Sequence, residues 1–312
     1  MHITVAICTW NRCELLRQTL RRLTEITVPA GLAWEVLVVN NNSTDATNDV
    51  AAAYRDRLPL RCVVEREPGT SHARNRALDE AAGAYVAFID DDVLVADGWL
   101  AALYDATVRR PDVDAFGGPI EPWFPAPPDP NLLAAFPALA NGFCALDYGA
   151  DEGPLRPGQP LFTANITIAT RAVADLRFDP ALGGTAGSAV CGEDIDFLSR
   201  LMSGGGTVLW VPHMRVKHYV EPSRMTLAYL CRFYYDRGRS LVRQQAVGDV
   251  PRLMGAPRWC WRAMLQHYAR YMVLRATPLR PRALVSLREF QFARGVITES
   301  LGMAGSRNRG VA

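Results

Sequence analysis

The chain has 312 residues, 49% hydrophobic and 21% charged, a composition that excludes collagen-like, disordered and disulfide-scaffold classes and leaves an ordinary globular protein with room for a large core. Its seven cysteines (Cys8, Cys13, Cys62, Cys144, Cys191, Cys231 and Cys260) are scattered, odd in number and form no CxxC pair, which argues against a disulfide framework or a cysteine zinc site and fits a reducing cytoplasm. The net charge of +2 is unevenly spread: residues 251–312 carry eleven Arg against two Glu, +9, leaving −7 for residues 1–250.

The first residues, MHITVAICTWNR, lack the pattern of a signal peptide, and no run approaches the roughly 18 apolar residues of a membrane span. The expectation is a soluble or peripheral cytoplasmic protein. Lys217 is the single lysine among 34 basic residues, so an abundance of Arg says little by itself about Arg chemistry.

Along the first 118 residues, β-branched runs alternate with helical patterns. The runs at 3–8, 35–40, 61–66, 85–90 and 113–118 predict strands; the segments 12–26, 44–56, 70–82 and 97–110 predict helices, with Ser43 or Thr44 as N-cap of the second. Nearly continuous apolar strands separated by helices imply an α/β fold with a mostly parallel sheet covered on both faces. In such sheets ligands sit beyond the carboxyl ends of the strands, which here read CTWNR, NNNSTD, EPGTS and DDDV.

Residues 119–160 are rich in Pro and Gly and predict a long loop over the site. FTANITIATRAVADLRFDP then reads as strand and short helix, GEDIDFLSRLMSGG as a helix, and TVLWVP and RVKHYV as short strands. Past Pro222, TLAYLCRFYYDRGRSLVRQQ and WCWRAMLQHYARYMVLRA read as helices, and SRNRGVA as a frayed tail.

Four constellations could carry chemistry. Asp90, Asp91 and Asp92 emerge from an apolar strand, where adjacent carboxylates repel and desolvation penalises their charge. A divalent cation removes that conflict, and hard oxygen ligands suit Mg²⁺ or Mn²⁺; a solvated acidic turn is the plainer alternative. Glu193 and Asp194 open a helix, either as a general base with its neighbour or as simple complements to the helix dipole. His218 shares a strand face with Val216 and is a metal ligand or a backbone-bonded core histidine. Thr9, Asn11, Asn41, Asn42 and Asn75 offer amides and a hydroxyl for a nucleotide, or serve as turn chemistry.

Taken together, TWNR, VVNNNSTD, EPGTSHARNRAL, AYVAFIDDD, FTAN, RFDPALGG, GEDIDFLSRL and VKHY follow in the order and spacing of family 2 glycosyltransferases, over about residues 3–240. The resemblance implies a GT-A fold, a nucleoside-diphosphate-sugar donor and an inverting single displacement assisted by Mn²⁺ or Mg²⁺. It divides the chain into a catalytic domain at 1–221, with a donor half at 1–118 and an acceptor half at 119–221, and a helical region at 222–312. By the resemblance, Thr9, Asn11, Asn75, Asp90 and Asp91 contact the donor, and Asn41 stands where an Asp often meets the base. Asp90 and Asp92 form the DxD, Asp92 is the direct metal ligand, and His218 ligates metal or phosphate. Asp194 is the base and Glu193 its orienting neighbour. Because RFYYDRGRS stands where processive relatives carry a QxxRW-type motif, transfer of a single sugar is expected, from a UDP-sugar to a glycan, lipid-linked or small-molecule hydroxyl.

Two other functions compete. A sugar nucleotidyltransferase would want a Gly-rich basic loop after the first strand, where this chain has CTWNRCELL. A non-catalytic glycosyltransferase-like binding protein would not need both acidic motifs intact. Nucleic acid is disfavoured, since no recognised reading motif accompanies the arginines. The face formed by Trp261, Met264, Leu265, Tyr268, Tyr271 and Met272 leaves three options for 251–312: contact with a membrane surface, a homodimer, or packing within the chain.

Overall fold

The computed structural model describes residues 2–156, 158–182, 192–243 and 247–307, with side chains to residue 302. The end of RFDPALGG, Cys191, Gln244, Gln245 and the last five residues of the predicted tail lie outside the described residues.

Strands β1 (Ile3–Thr9), β2 (Trp34–Asn40), β3 (Leu60–Val64) and β4 (Tyr85–Asp90) alternate with helices α1 (Cys13–Leu23), α2 (Thr47–Ala52) and α3 (Thr70–Glu80). Next come β5 (Val93–Val95), α4 (Trp99–Arg109), β6 (Ala115–Gly117), β7 (Ile120–Trp123), α5 (Pro130–Ala134) and α6 (Phe136–Leu139). β8 (Gly153–Pro154), β9 (Ile166–Ala169), α7 (Glu193–Ser203), β10 (Val208–Trp210) and β11 (Val216–Tyr219) follow. The chain then forms α8 (Leu227–Arg243), β12 (Arg252–Leu253), β13 (Ala256–Pro257), α9 (Arg258–Leu274) and α10 (Arg280–Arg307).

Ile3, Val5, Ala6 and Ile7 of β1 and Val36 to Val39 of β2 are wholly buried, because both faces of the sheet are covered. Burying each Val, Leu or Ile side chain among them contributes about 1.5–3 kcal/mol. The eight-stranded sheet runs β3-β2-β1-β4-β9-β6-β10-β8. Its β3-β2-β1-β4 portion is parallel, while β9 enters antiparallel between β4 and β6. From β1 the chain steps outward to β2 and β3, then returns to pair β4 on the other side of β1, so a switch point opens at the carboxyl ends of β1 and β4.

A second, three-stranded sheet, β5-β11-β7, begins two residues beyond β4. β11 runs antiparallel to β5 and parallel to β7, which sets His218 opposite Val93. The Asp92 carbonyl also accepts from the Tyr219 amide at 2.9 Å.

Several predicted elements are shorter in the fold. α2 starts at Thr47 because Asp45, through a bond from the Thr47 amide (3.1 Å), ends the preceding turn; neither Ser43 nor Thr44 caps it. The stretch 119–160 is not one loop. It contains β7, α5, α6 and β8, and in PAPPDP the Asp129 side chain caps α5 with Pro130 at its first position, where a missing amide hydrogen costs nothing.

The chain forms two compact units, 1–123 with 145–219, and 124–144 with 220–312. The first holds the two sheets and α1–α4 and α7. In the second, Leu132, Leu139, Phe143, Leu230 and Tyr234 form one core, and Val242, Cys260, Ala293, Val296 and Ile297 another. α8 and α10 cross where Gly238 faces the Phe292 carbonyl and Gly295 the Tyr235 carbonyl, so a Cβ at either glycine would strike backbone. α10 carries its buried residues on more than one side, from Ala283, Ser286 and Leu287 to Val296 and Ser300, and so shows no single apolar stripe by which sequence would announce it.

Candidate active site

The acidic triplet straddles the end of β4 and the turn into β5. Parallel pairing aligns Cys8 with Asp90, so Thr9, one residue on, reaches Asp91 with its hydroxyl at 2.7 Å. α1 holds the same turn from behind. Thr19, a buried hydroxyl on its apolar face, donates to the Asp91 carbonyl at 2.8 Å, and Arg22 Nε donates to the Val95 carbonyl at 2.7 Å. Thr19 thus meets a need that a Leu there would not, since the carbonyl is buried in the turn.

Asp90, Asp92 and His218 converge, with one ligand atom from each lying within 4.8 Å of the others. His218 Nδ1–H donates to the Tyr219 carbonyl at 2.9 Å. Nε2 is thereby turned toward Asp90 Oδ2 (3.5 Å) and Asp92 Oδ1 (3.4 Å). That backbone bond is the arrangement by which proteins orient a ligating imidazole. Asp92 is 2% exposed, and its Oδ1 is buried with no hydrogen-bond partner among the described residues. A buried carboxylate oxygen carries that cost only where something compensates it. Two carboxylate oxygens and an imidazole nitrogen, one oxygen otherwise unsatisfied, fit a divalent cation such as Mn²⁺ or Mg²⁺.

Arg12, just past β1, spans Asp91 and Asp92, with Nη1 at 3.1 Å from Asp91 Oδ1 and 2.8 Å from Asp92 Oδ2. Burial, with the Asp92 carboxylate beside it, pushes Asp91 up to about 7 against the pull of Arg12 and Thr9. Burial acts to raise Asp90 too, but the hydrogen bond with His218 and the Arg74 charge outweigh it and hold Asp90 below the ordinary carboxylate value.

Arg74 of α3 joins the two acidic motifs. Its guanidinium pairs with Glu193, lies 3.9 Å from Asp90 and stands over the Phe178 ring at 5.6 Å. Glu193 also accepts from its own Gly192 amide at 3.0 Å, which fixes the start of α7. Beside it, burial and the Glu193 charge push Asp194 up to about 6, against Arg74. Asp194 is partly exposed, with Oδ1 accepting from the Ile195 amide at 2.9 Å. A carboxyl raised in this way holds a proton more readily than an ordinary aspartate.

Asn11, Asn41 and Asn75 turn their amides to the backbone. Asn11, at φ 52°, accepts from the Thr44 amide (2.7 Å) and so ties the end of β1 to the turn after β2. Asn41 donates to the carbonyls of Glu65 (3.2 Å) and Glu67 (2.7 Å) and accepts from the Gly69 amide (2.8 Å). An Asp could not donate those two bonds, which gives a structural reason for Asn at this position. Asn75 exchanges two bonds with the backbone of Phe178, at 2.9 and 2.8 Å, and the Phe178 ring stacks on Phe197 of α7 at 4.2 Å. It thereby supports the helix that carries Glu193 and Asp194.

Reading the sequence alone missed Arg12 and Arg74. Arg74 left a signal: α3 buries Ser71, Ala73 and Ala77, and an Arg within so small-sided a face must find carboxylates.

An open α/β sheet thus gathers carboxylates, a histidine and a basic side chain at its switch point. Residues 4–126 match the profile described as Glycosyl transferase family 2. The succinoglycan biosynthesis protein ExoM of Rhizobium meliloti is 29% identical over 255 residues, covering 80% of this chain and 77% of that one. Among solved structures, S. aureus TarS 1–349 in complex with UDP-GlcNAc has a TM-score of 0.56 at 19% identity, over 99% of this chain and 92% of that one. The mannosyltransferase PcManGT of Pyrobaculum calidifontis, in complex with GDP-Man and Mn²⁺, has a TM-score of 0.60 at 19% identity, over 96% and 86%. The chain is thus similar to glycosyltransferase family 2 over residues 4–126 and has the GT-A fold of its solved neighbours.

Proposed function

We propose that this glycosyltransferase moves a single sugar from a nucleoside-diphosphate sugar to an acceptor hydroxyl with inversion, in a reaction that needs Mn²⁺ or Mg²⁺. The observation that carries the reading is Arg74, which links the Asp90–Asp92–His218 group to Glu193 and its neighbour Asp194. A metal site and a candidate base are thereby tied into one constellation.

Asp92 and His218, with Asp90, would hold the cation, which would supply positive charge to offset that of a diphosphate leaving group. Asp194 accepts the proton of the acceptor hydroxyl as the oxygen attacks the anomeric carbon, and the bond to the leaving phosphate breaks on the opposite side. A single base on the acceptor side is what one inverting displacement requires, and the raised Asp194 carboxyl suits that task. Glu193, paired with Arg74, orients the start of α7 and so the base.

We assign Thr9, Asp91 and Arg12 to the donor side of the site, and Asn11, Asn41 and Asn75 to shaping the loops that border it. A uridine diphosphate sugar is the donor we favour, on the family resemblance and on the UDP-GlcNAc complex of TarS. ExoM, by its name a succinoglycan biosynthesis protein, favours a glycan acceptor. The scattered cysteines favour a reducing cytoplasm as the place of reaction, and no helix among the described residues is long and apolar enough to cross a membrane.

The test is calorimetry with UDP- and GDP-sugars, with and without Mn²⁺. We expect UDP-sugar binding that requires the metal and that Asp92→Ala abolishes. Metal-independent binding, or equal binding by the variant, would remove Asp92 from the metal site. A preference for the GDP-sugar would overturn the choice of base.

A further inference from the structure

The second unit carries a feature that sugar transfer does not use. Between Pro251 and Leu287 there is no acidic residue. Seven arginines fall between 252 and 282, and all seven are exposed. Of the acidic residues in this unit, Glu299 pairs with Arg239 and Arg243, Asp236 with Arg239 and Glu289 with Arg288, while the Arg280 charge acts on Asp129. The same stretch holds eight of the fifteen exposed large hydrophobic side chains found among the described residues.

These side chains are arranged, not scattered. α9 turns Cys260, Ala263, Met264 and His267 inward, so its opposite side faces solvent. On that side Leu265 (66% exposed), Tyr268 and Met272 follow half-buried Trp261 at spacings of three and four residues, forming one apolar stripe. Helical geometry sets Arg258 and Arg262 along one border of the stripe and Arg275 on the other. Ahead of the helix, the β12–β13 hairpin presents Leu253 and Met254 at its tip, Met254 being 76% exposed.

We infer that α9 and the β12–β13 hairpin form a docking surface for an anionic lipid bilayer. The helix lies in the plane of the interface, with the Leu265–Tyr268–Met272 stripe and Met254 entering the headgroup boundary and the bordering arginines meeting lipid phosphates. Exposed arginines beside exposed apolar side chains favour this occupant over a second copy of the chain. A two-fold contact through the same patch would press one arginine border against another.

Vesicle flotation of the full-length protein tests this. Wild type is expected to float with vesicles of phosphatidylglycerol and phosphatidylcholine in equal parts, to stay behind with pure phosphatidylcholine, and to detach as salt rises. Each arginine near the surface strengthens binding about fivefold, so Arg258→Gln/Arg262→Gln/Arg275→Gln should lower the partition coefficient about a hundredfold. Leu265→Ser/Met272→Ser should also lower it while the salt dependence persists. Because all five positions are at the surface, circular dichroism of both variants should match wild type. The inference is overturned if wild type does not float, if neutral vesicles bind it equally, or if the variants bind undiminished. It is also overturned if sedimentation shows a dimer that Leu265→Ser/Met272→Ser dissolves, since the stripe then belongs to a second copy.

Discussion

Asp194 is the residue on which the proposed chemistry turns, and its environment gives it two separable consequences. As a base with its carboxyl at about 6, it should impose an acid limb: turnover rising with pH up to about 6 and level above. Asp194→Asn should lower turnover by about 10²–10⁴-fold while leaving donor affinity unchanged, as read by steady-state rates and calorimetry. Stability moves the opposite way. The folded carboxyl binds its proton more tightly than the unfolded one, so between the ordinary 3.8 and about 6 the fold loses stability as pH rises. Asp194→Asn should remove this contribution, so that stability in urea titrations falls less, or rises more, with pH across this range.

Arg74 supports a second argument at this scale. It and Glu193 are a nearly dry ion pair, with side chains 9% and 10% exposed. Arg74→Met leaves Glu193 buried without its partner and should cost about 3–5 kcal/mol in urea unfolding. Adding Glu193→Gln to the same chain should recover a large part of that loss, as expected for coupled neighbours. A cost under about 1 kcal/mol for Arg74→Met would mean that the pair does not join the two motifs energetically.

At the scale of elements, the site depends on joints between segments far apart in sequence. β5 follows β4 after two residues, and its antiparallel pairing with β11 brings His218 to the acidic triplet. A buried apolar strand ending in three aspartates was legible from sequence. The neighbour supplied by β11 was not, because alternation along a strand gives its buried face and says nothing of its partner. The same holds for the loop asparagines. Their residue type is equally suited to nucleotides and to turns, and only the positions of the Glu65, Glu67 and Phe178 carbonyls decide between them. In the second unit, Gly238 and Gly295 allow α8 and α10 to approach backbone to backbone. Gly295→Val should therefore destabilise by about 1–3 kcal/mol in chemical denaturation, because the crossing has no room for a side chain.

At the scale of the molecule, the residues assigned to donor and cation all belong to the first compact unit, while the exposed arginine-rich surface belongs to the second. The two should be separable by measurement. Mn²⁺ with UDP at about a hundred times its dissociation constant should stabilise the protein by about 2.7 kcal/mol in thermal unfolding. Substitutions at Arg258, Arg262 and Arg275 should leave that gain unchanged, and a diminished gain would show that the two regions are coupled.

The sequence by itself determined the α/β class, the polar strand ends, the Asp90–Asp92 triplet, the Glu193–Asp194 pair and the charge imbalance of the C-terminal region. Each is written in local periodicity or in adjacent residues, where burial and repulsion act within a few positions. Tertiary structure alone decided that β9 enters antiparallel beside β4, that His218 faces Asp90 and Asp92, and that Arg12 and Arg74 pair with the carboxylates. It also decided which side of α9 remains uncovered. The reason is physical. A buried charge, ligand or amide is defined by the partner that satisfies it, and in this fold those partners come from distant parts of the chain.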